Sequence, residues 1–197
     1  MKLLNTFSNR LVSNTKSILF VVSILAILGA VVELLAGMWD ATSHIMREPE
    51  LFWTVQHIVV YIGVTMITLS AILSSIVLIT SQKNTPIKTG LKILIIGAIL
   101  QISAGYADSI SHDIYGVDGL VTVSHLILEA GLLLSALGGF LILSKTRQRR
   151  SRRIMPFAIL SVLLSSTWIG FNLTLLFGSI VLCLPVYVVF SSGCAVL

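Results

Sequence analysis

Residues 17–57 read SILFVVSILAILGAVVELLAGMWDATSHIMREPELFWTVQH: an apolar run, then an aspartate, a histidine four residues on, and a second histidine thirteen beyond that. The run over 17–38 holds a single charge, Glu33. About 20 residues of helix, rising 1.5 Å each, span a 30 Å hydrocarbon layer, so this stretch predicts a membrane-crossing helix. A signal peptide is the competing reading, since Lys2, Arg10 and Lys16 precede the run. Its apolar core exceeds the usual 7–15 residues, which favours a mature helix.

Comparable runs follow at 53–80, 91–107, 120–144, 154–171 and 173–195. The expected fold is therefore all-α: one polytopic membrane domain over 1–197 with six transmembrane helices, arranged as hairpins 17–80, 91–144 and 154–197. The last two spans share an uncharged stretch, and Gly170-Phe171-Asn172 is the turn expected to divide them. Composition agrees, with 56% apolar and 11% charged residues, where soluble domains carry about 25% charged. That excludes most soluble folds and disordered tails.

The formal charge of +5 does not indicate nucleic acid, because 12 of the 13 Lys and Arg fall in 2–16, 83–92 and 145–153. Basic loops stay cytoplasmic, so both termini are expected inside a cell membrane, with Arg47 the one cation in an outer loop. The run KTRQRRSRR at 145–153 reads first as a topology determinant, and secondarily as a contact for anionic lipid headgroups. Asp40, Glu48, Glu50, Asp108, Asp113 and Asp118 fall in or beside the two outer loops. Trp39, Phe52, Trp53, Tyr106 and Tyr115 suit an interfacial aromatic belt there. Cys183 and Cys194 lack the spacing of a zinc or redox motif and read as small apolar residues.

A constant offset of 68 residues carries Asp40, His44 and His57 onto Asp108, His112 and His125. It also pairs Ala36 with Ala104, Gly37 with Gly105, Ser43 with Ser111, Thr54 with Thr122, Val55 with Val123 and Gly63 with Gly131. Two hairpins of parallel topology are expected, related by a pseudo-twofold axis along the membrane normal. The shared pattern, D-x3-H-x12-H, uses every histidine in the chain. Asp and His four apart share a helix face, and the next twelve residues, with Pro49 in one unit and Gly116 and Gly119 in the other, return the chain to deliver the second His. One carboxylate and two imidazoles per unit form an N2O ligand set suited to copper, zinc or non-haem iron, with copper leading on intrinsic affinity. Deeper in the spans, Glu33 and Glu129, with repeat partners Gln101 and Tyr61, read as partners of the imidazoles or a proton path, or else as structural groups that are protonated or hydrogen-bonded to helix neighbours.

The two hairpins resemble the C subunit of the copper membrane monooxygenases, the ammonia and particulate methane monooxygenase family, over residues 30–140. WDATSH followed by ELFWTVQH is similar to that family's first copper site, which implies Asp40, His44 and His57 as ligands. DSISH followed by VTVSH is similar to the second, which implies His112 and His125, with Asp108 where the family usually has Asn. The resemblance does not reach 154–197, so it points to a relative or paralogue. It implies a copper cofactor, an oxidoreductase assembly with further monooxygenase-type subunits, and a small substrate oxidised with O2. Other readings are an outer-face metal carrier, alone or as a homo-oligomer, and a bis-His b-type haem protein, in which the Asp four residues before His44 and His112 has no role.

Overall fold

The computed structural model describes residues 15–46, 53–80, 87–115, 121–146 and 149–196; the side chains of His44, Tyr115 and 192–196 are outside that set. The loop residues Arg47, Glu48, Pro49, Glu50, Phe52, Gly116, Asp118 and Gly119 also lie outside the described residues. Six helices account for nearly all the rest: α1 Thr15–Met46, α2 Val55–Thr80, α3 Ile87–Tyr115, α4 Val123–Lys145, α5 Arg149–Leu182 and α6 Val186–Val196. Among the described residues, α1 to α5 are long and apolar enough to cross a membrane.

The bundle centres on α1. Leu19, Val22, Ala26, Ala30 and Leu34 recur every three or four residues, the spacing of one helix face, and pack with Ile67 and Ala71 of α2, Leu91, Leu94 and Ala98 of α3, and Leu132 and Ala136 of α4. The most extensive pairings are α1 with α2 and α3 with α4, followed by α4 with α5, α1 with α4 and α2 with α3. Exchanging the first hairpin for the second maps the α1–α4 contact onto α3–α2. Among the described helices, α5, against α4 and α1, and α6, against α5, have no counterpart.

Close helix approach is set by small residues, as in lipid-embedded bundles. A Cβ on Gly63 would lie 2.7 Å from the Cβ of Glu33 and 2.8 Å from the carbonyl oxygen of Gly29. At Gly131, 68 residues on, it would lie 2.7 Å from the carbonyl oxygen of Gly97 and 2.8 Å from Gln101. The helix starts correspond as well. Thr54 and Thr122 each precede a helix, and their hydroxyls accept from the N–H of His57 at 3.4 Å and His125 at 3.2 Å, satisfying a donor that the first turn leaves free.

Charge is segregated along the bundle. The described lysines and arginines, Lys16, Lys88, Lys92, Lys145, Arg149, Arg150, Arg152 and Arg153, lie where α1, α3 and α5 begin and α4 ends. Asp40, Asp108 and Asp113 lie toward the α1–α2 and α3–α4 loops, with exposed Trp39, Trp53 and Tyr106.

The C-terminal region departs from the sequence expectation. Gly170-Phe171-Asn172 is not a turn: α5 runs unbroken through it to Leu182. In apolar surroundings, continuing the helix keeps every backbone group bonded. A Cβ at Gly170 would meet nothing within 4 Å, so its absence serves no turn, and Asn172 has a partner inside the bundle. The stop comes later. Cys183 adopts φ 52°, its N–H reaches the Ile180 carbonyl at 3.4 Å, and the Leu184 N–H reaches Ser179 at 3.1 Å, the paired bonds of a Schellman ending. Pro185 then prevents continuation. The chain folds back, seating Phe190 edge-on to Phe171 at 6.3 Å between ring centroids. With 11 residues, α6 covers about 16 Å, half a bilayer core. The expected sixth full span is absent among the described residues.

Candidate metal centre

Both helices that carry the D-x3-H motif extend beyond their apolar runs: α1 continues to Met46 and α3 to Tyr115. This places Asp40 and Asp108 on the inward face one turn before His44 and His112. The returning helices α2 and α4 present His57 and His125 within their first turn. Within each hairpin the carboxylate meets the second imidazole: Asp40 Oδ1 lies 3.4 Å from His57 Nε2, and Asp108 Oδ1 lies 3.3 Å from His125 Nε2. Distances within 0.1 Å of each other at a 68-residue offset accompany the matched caps and glycine crossings.

The spacing assigns one triplet to each hairpin, but the two halves meet. The His57 and His112 rings stand edge to face, 5.3 Å between centroids. His57, Asp108 and His112, all buried, present ligand atoms within 4.8 Å of one another. Three ligands bonded to one tetrahedral ion at about 2.0–2.2 Å stand about 3.3–3.6 Å apart, so side-chain movements of about 1 Å would close such a site. This trio draws one imidazole from the first unit and two groups from the second. Asp40 and His125 flank it, each against a member or its carboxylate. The backbone of His44 lies on α1; its side chain is outside the described set.

The surroundings hold these groups in place. Ser124 donates to Asp108 Oδ1 at 3.0 Å and shares a 2.8 Å hydrogen bond with the cap residue Thr122. In the first hairpin the matching position is Gln56, whose amide donates to Ser43 at 2.7 Å. Tyr61 donates across to the Gly105 carbonyl at 3.1 Å, tying α2 to α3. Gln101 is fully buried and points elsewhere, reaching Ser135 at 3.5 Å.

A cavity of about 60 Å³ adjoins the centre, lined by Asp40, His57, Asp108, His125, Glu33 and Glu129 along with apolar side chains and Trp168. Glu33 lies at 2% exposure, with both carboxylate oxygens lacking a hydrogen-bond partner among the described residues. Glu129 accepts from Asn172 Nδ2 at 2.6 Å. The sequence reading missed the contribution of α5. Its signal was available: an amide in a 44-residue stretch without a charge requires a partner in the bundle as readily as it marks a turn.

No family model, curated protein or solved structure matches the chain. Function therefore has to be argued from this geometry and the motif.

Proposed function

We propose that the chain is a multi-pass membrane protein, built on two tandem hairpin repeats, that holds a transition-metal ion, copper before zinc or iron, at a centre composed across the repeats. The observation that carries this reading is the convergence of His57, Asp108 and His112, three buried groups of metal-ligating type from two hairpins, within 4.8 Å. Imidazole and carboxylate together suit copper, zinc and iron, and the divalent affinity order places copper first. Length and hydropathy of five helices support insertion in a cell membrane. The segregated cations support placing the basic end, with residue 15, in the cytoplasm and the centre near the outer face.

The resemblance of the motif to monooxygenase C subunits supports a role as a relative of such a subunit, working with further subunits on a small substrate. An outer-face carrier without catalysis is the second reading, favoured by the continuity of the centre with a cavity that reaches Glu33 and Glu129 inside the bundle. Elemental analysis of the chain purified in detergent from copper-supplied membranes tests the centre. About one copper per chain is expected, lost in His57→Ala and in His112→Ala. Unchanged metal in both variants would refute it. Co-purifying partner subunits favour the enzyme reading, a monomer or homo-oligomer the carrier.

A further inference from the structure

The cavity gathers four carboxylates, Glu33, Asp40, Asp108 and Glu129, and no lysine or arginine is among its lining residues. The described cations lie at the opposite end of the bundle. One divalent ion at the proposed centre offsets two of these four charges. The carboxyl groups of Glu33 and Glu129 remain, in an interior where a carboxylate is stable only with a proton or a cation to neutralise it.

Oxygen atoms in the same region also lack partners. Both Glu33 carboxylate oxygens and Asn172 Oδ1 are buried with no hydrogen-bond partner among the described residues, and both side chains are 2% exposed. Asn172 is held here by its 2.6 Å bond to Glu129. Buried polar atoms are nearly always satisfied. The two orphaned Glu33 oxygens line the cavity beside a second carboxylate, Glu129, and together they offer oxygen ligands to a cation.

We propose that the cavity contains a second cation site, formed by the carboxylates of Glu33 and Glu129, that takes a small hard divalent ion of the Mg2+ or Mn2+ class. All its donors are oxygen, the type that selects such ions, whereas the imidazoles of the neighbouring centre select copper or zinc. The 60 Å³ of space holds about four water-sized particles, enough for an ion that keeps part of its hydration shell, as Mg2+ does. The charge count rests on the metal centre proposed above; the orphaned oxygens do not.

The test uses the whole chain in detergent, stripped with chelator, loaded with EPR-silent Zn2+ and titrated with Mn2+. One Zn2+ and one Mn2+ per chain are expected, with no nitrogen coupling on the manganese by electron-nuclear double resonance. Glu33→Gln, which keeps shape and removes charge, should weaken Mn2+ at least tenfold and leave Zn2+ in place; Glu129→Gln serves equally if the first variant does not purify. Wild type that holds Zn2+ but no Mn2+, or manganese that shows imidazole nitrogen coupling, overturns the second site and leaves the first. Manganese bound without zinc, and lost in Glu33→Gln, supports the second site and overturns the first.

Discussion

Replacing Gly63 by alanine tests the helix crossing on which the centre is mounted. The new Cβ would stand 2.7 Å from Glu33 Cβ and 2.8 Å from the Glu33 nitrogen and the Gly29 carbonyl oxygen. Carbon contacts favour about 3.5–4.0 Å, and two of these neighbours are backbone, so α1 and α2 must part by about 1 Å. Overpacking of this kind costs about 2–3 kcal/mol, offset by roughly 1 kcal/mol of better helix propensity for alanine. A net loss of about 1–2 kcal/mol is expected. Gly170→Ala is the control, because its Cβ meets nothing within 4 Å; it should gain up to about 1 kcal/mol. The two variants should then differ by about 2–3 kcal/mol, or roughly 5–10 °C in the unfolding midpoint for a chain of this size. Circular dichroism of the detergent-solubilised chain measures it. Equal midpoints would refute the close crossing. Gly131→Ala, with a Cβ 2.7 Å from the Gly97 carbonyl, should lose as much as Gly63→Ala, and a neutral result there would count against the matched geometry of the hairpins.

Asn172→Leu removes the 2.6 Å hydrogen bond to Glu129; a loss of about 0.6–1.7 kcal/mol, the range for such bonds between lipid-embedded helices, is expected by thermal unfolding, and none would mean that α5 is held by packing alone. Cys183→Gly relieves a side chain at φ 52° and should stabilise the α5 ending by about 1 kcal/mol, whereas Cys183→Val should destabilise it; the same melting assay ranks the three. For orientation, in a background with both native cysteines replaced by serine, Trp53→Cys should react with an impermeant thiol reagent added outside intact cells and Thr89→Cys should not. The opposite pattern would reverse the proposed insertion.

Much of the bundle was legible because its signals are local. Apolar runs placed the first four helices. The i, i+4 spacing of Asp40 with His44, and of Asp108 with His112, anticipated that α1 and α3 extend past Trp39 and Tyr106 into polar sequence. The offset of 68 paired Thr54 with Thr122, two positions that the structure uses as matching helix caps. Two features were hidden because they depend on pairings across the chain. Spacing within one hairpin cannot reveal that His57 faces His112 of the other hairpin. At Asn172, an amide beside a glycine looks like a turn until Glu129, 43 residues away, is seen to accept from it. The actual stop at 183–185 carries a proline but no glycine, so the cysteine that takes the left-handed position gave no warning.

The dependence of Glu129 on α5 also imposes an order on biosynthesis. Glu129 leaves the ribosome 43 residues before Asn172, and at about 5–20 residues per second the two are separated by roughly 2–9 s. During that interval the first four helices have to wait with a carboxyl group that has not met its amide. Whatever escorts the nascent chain must keep that flank of α4 covered, and the fifth helix, arriving after the first four, completes the wall of the cavity only once the imidazoles have been made.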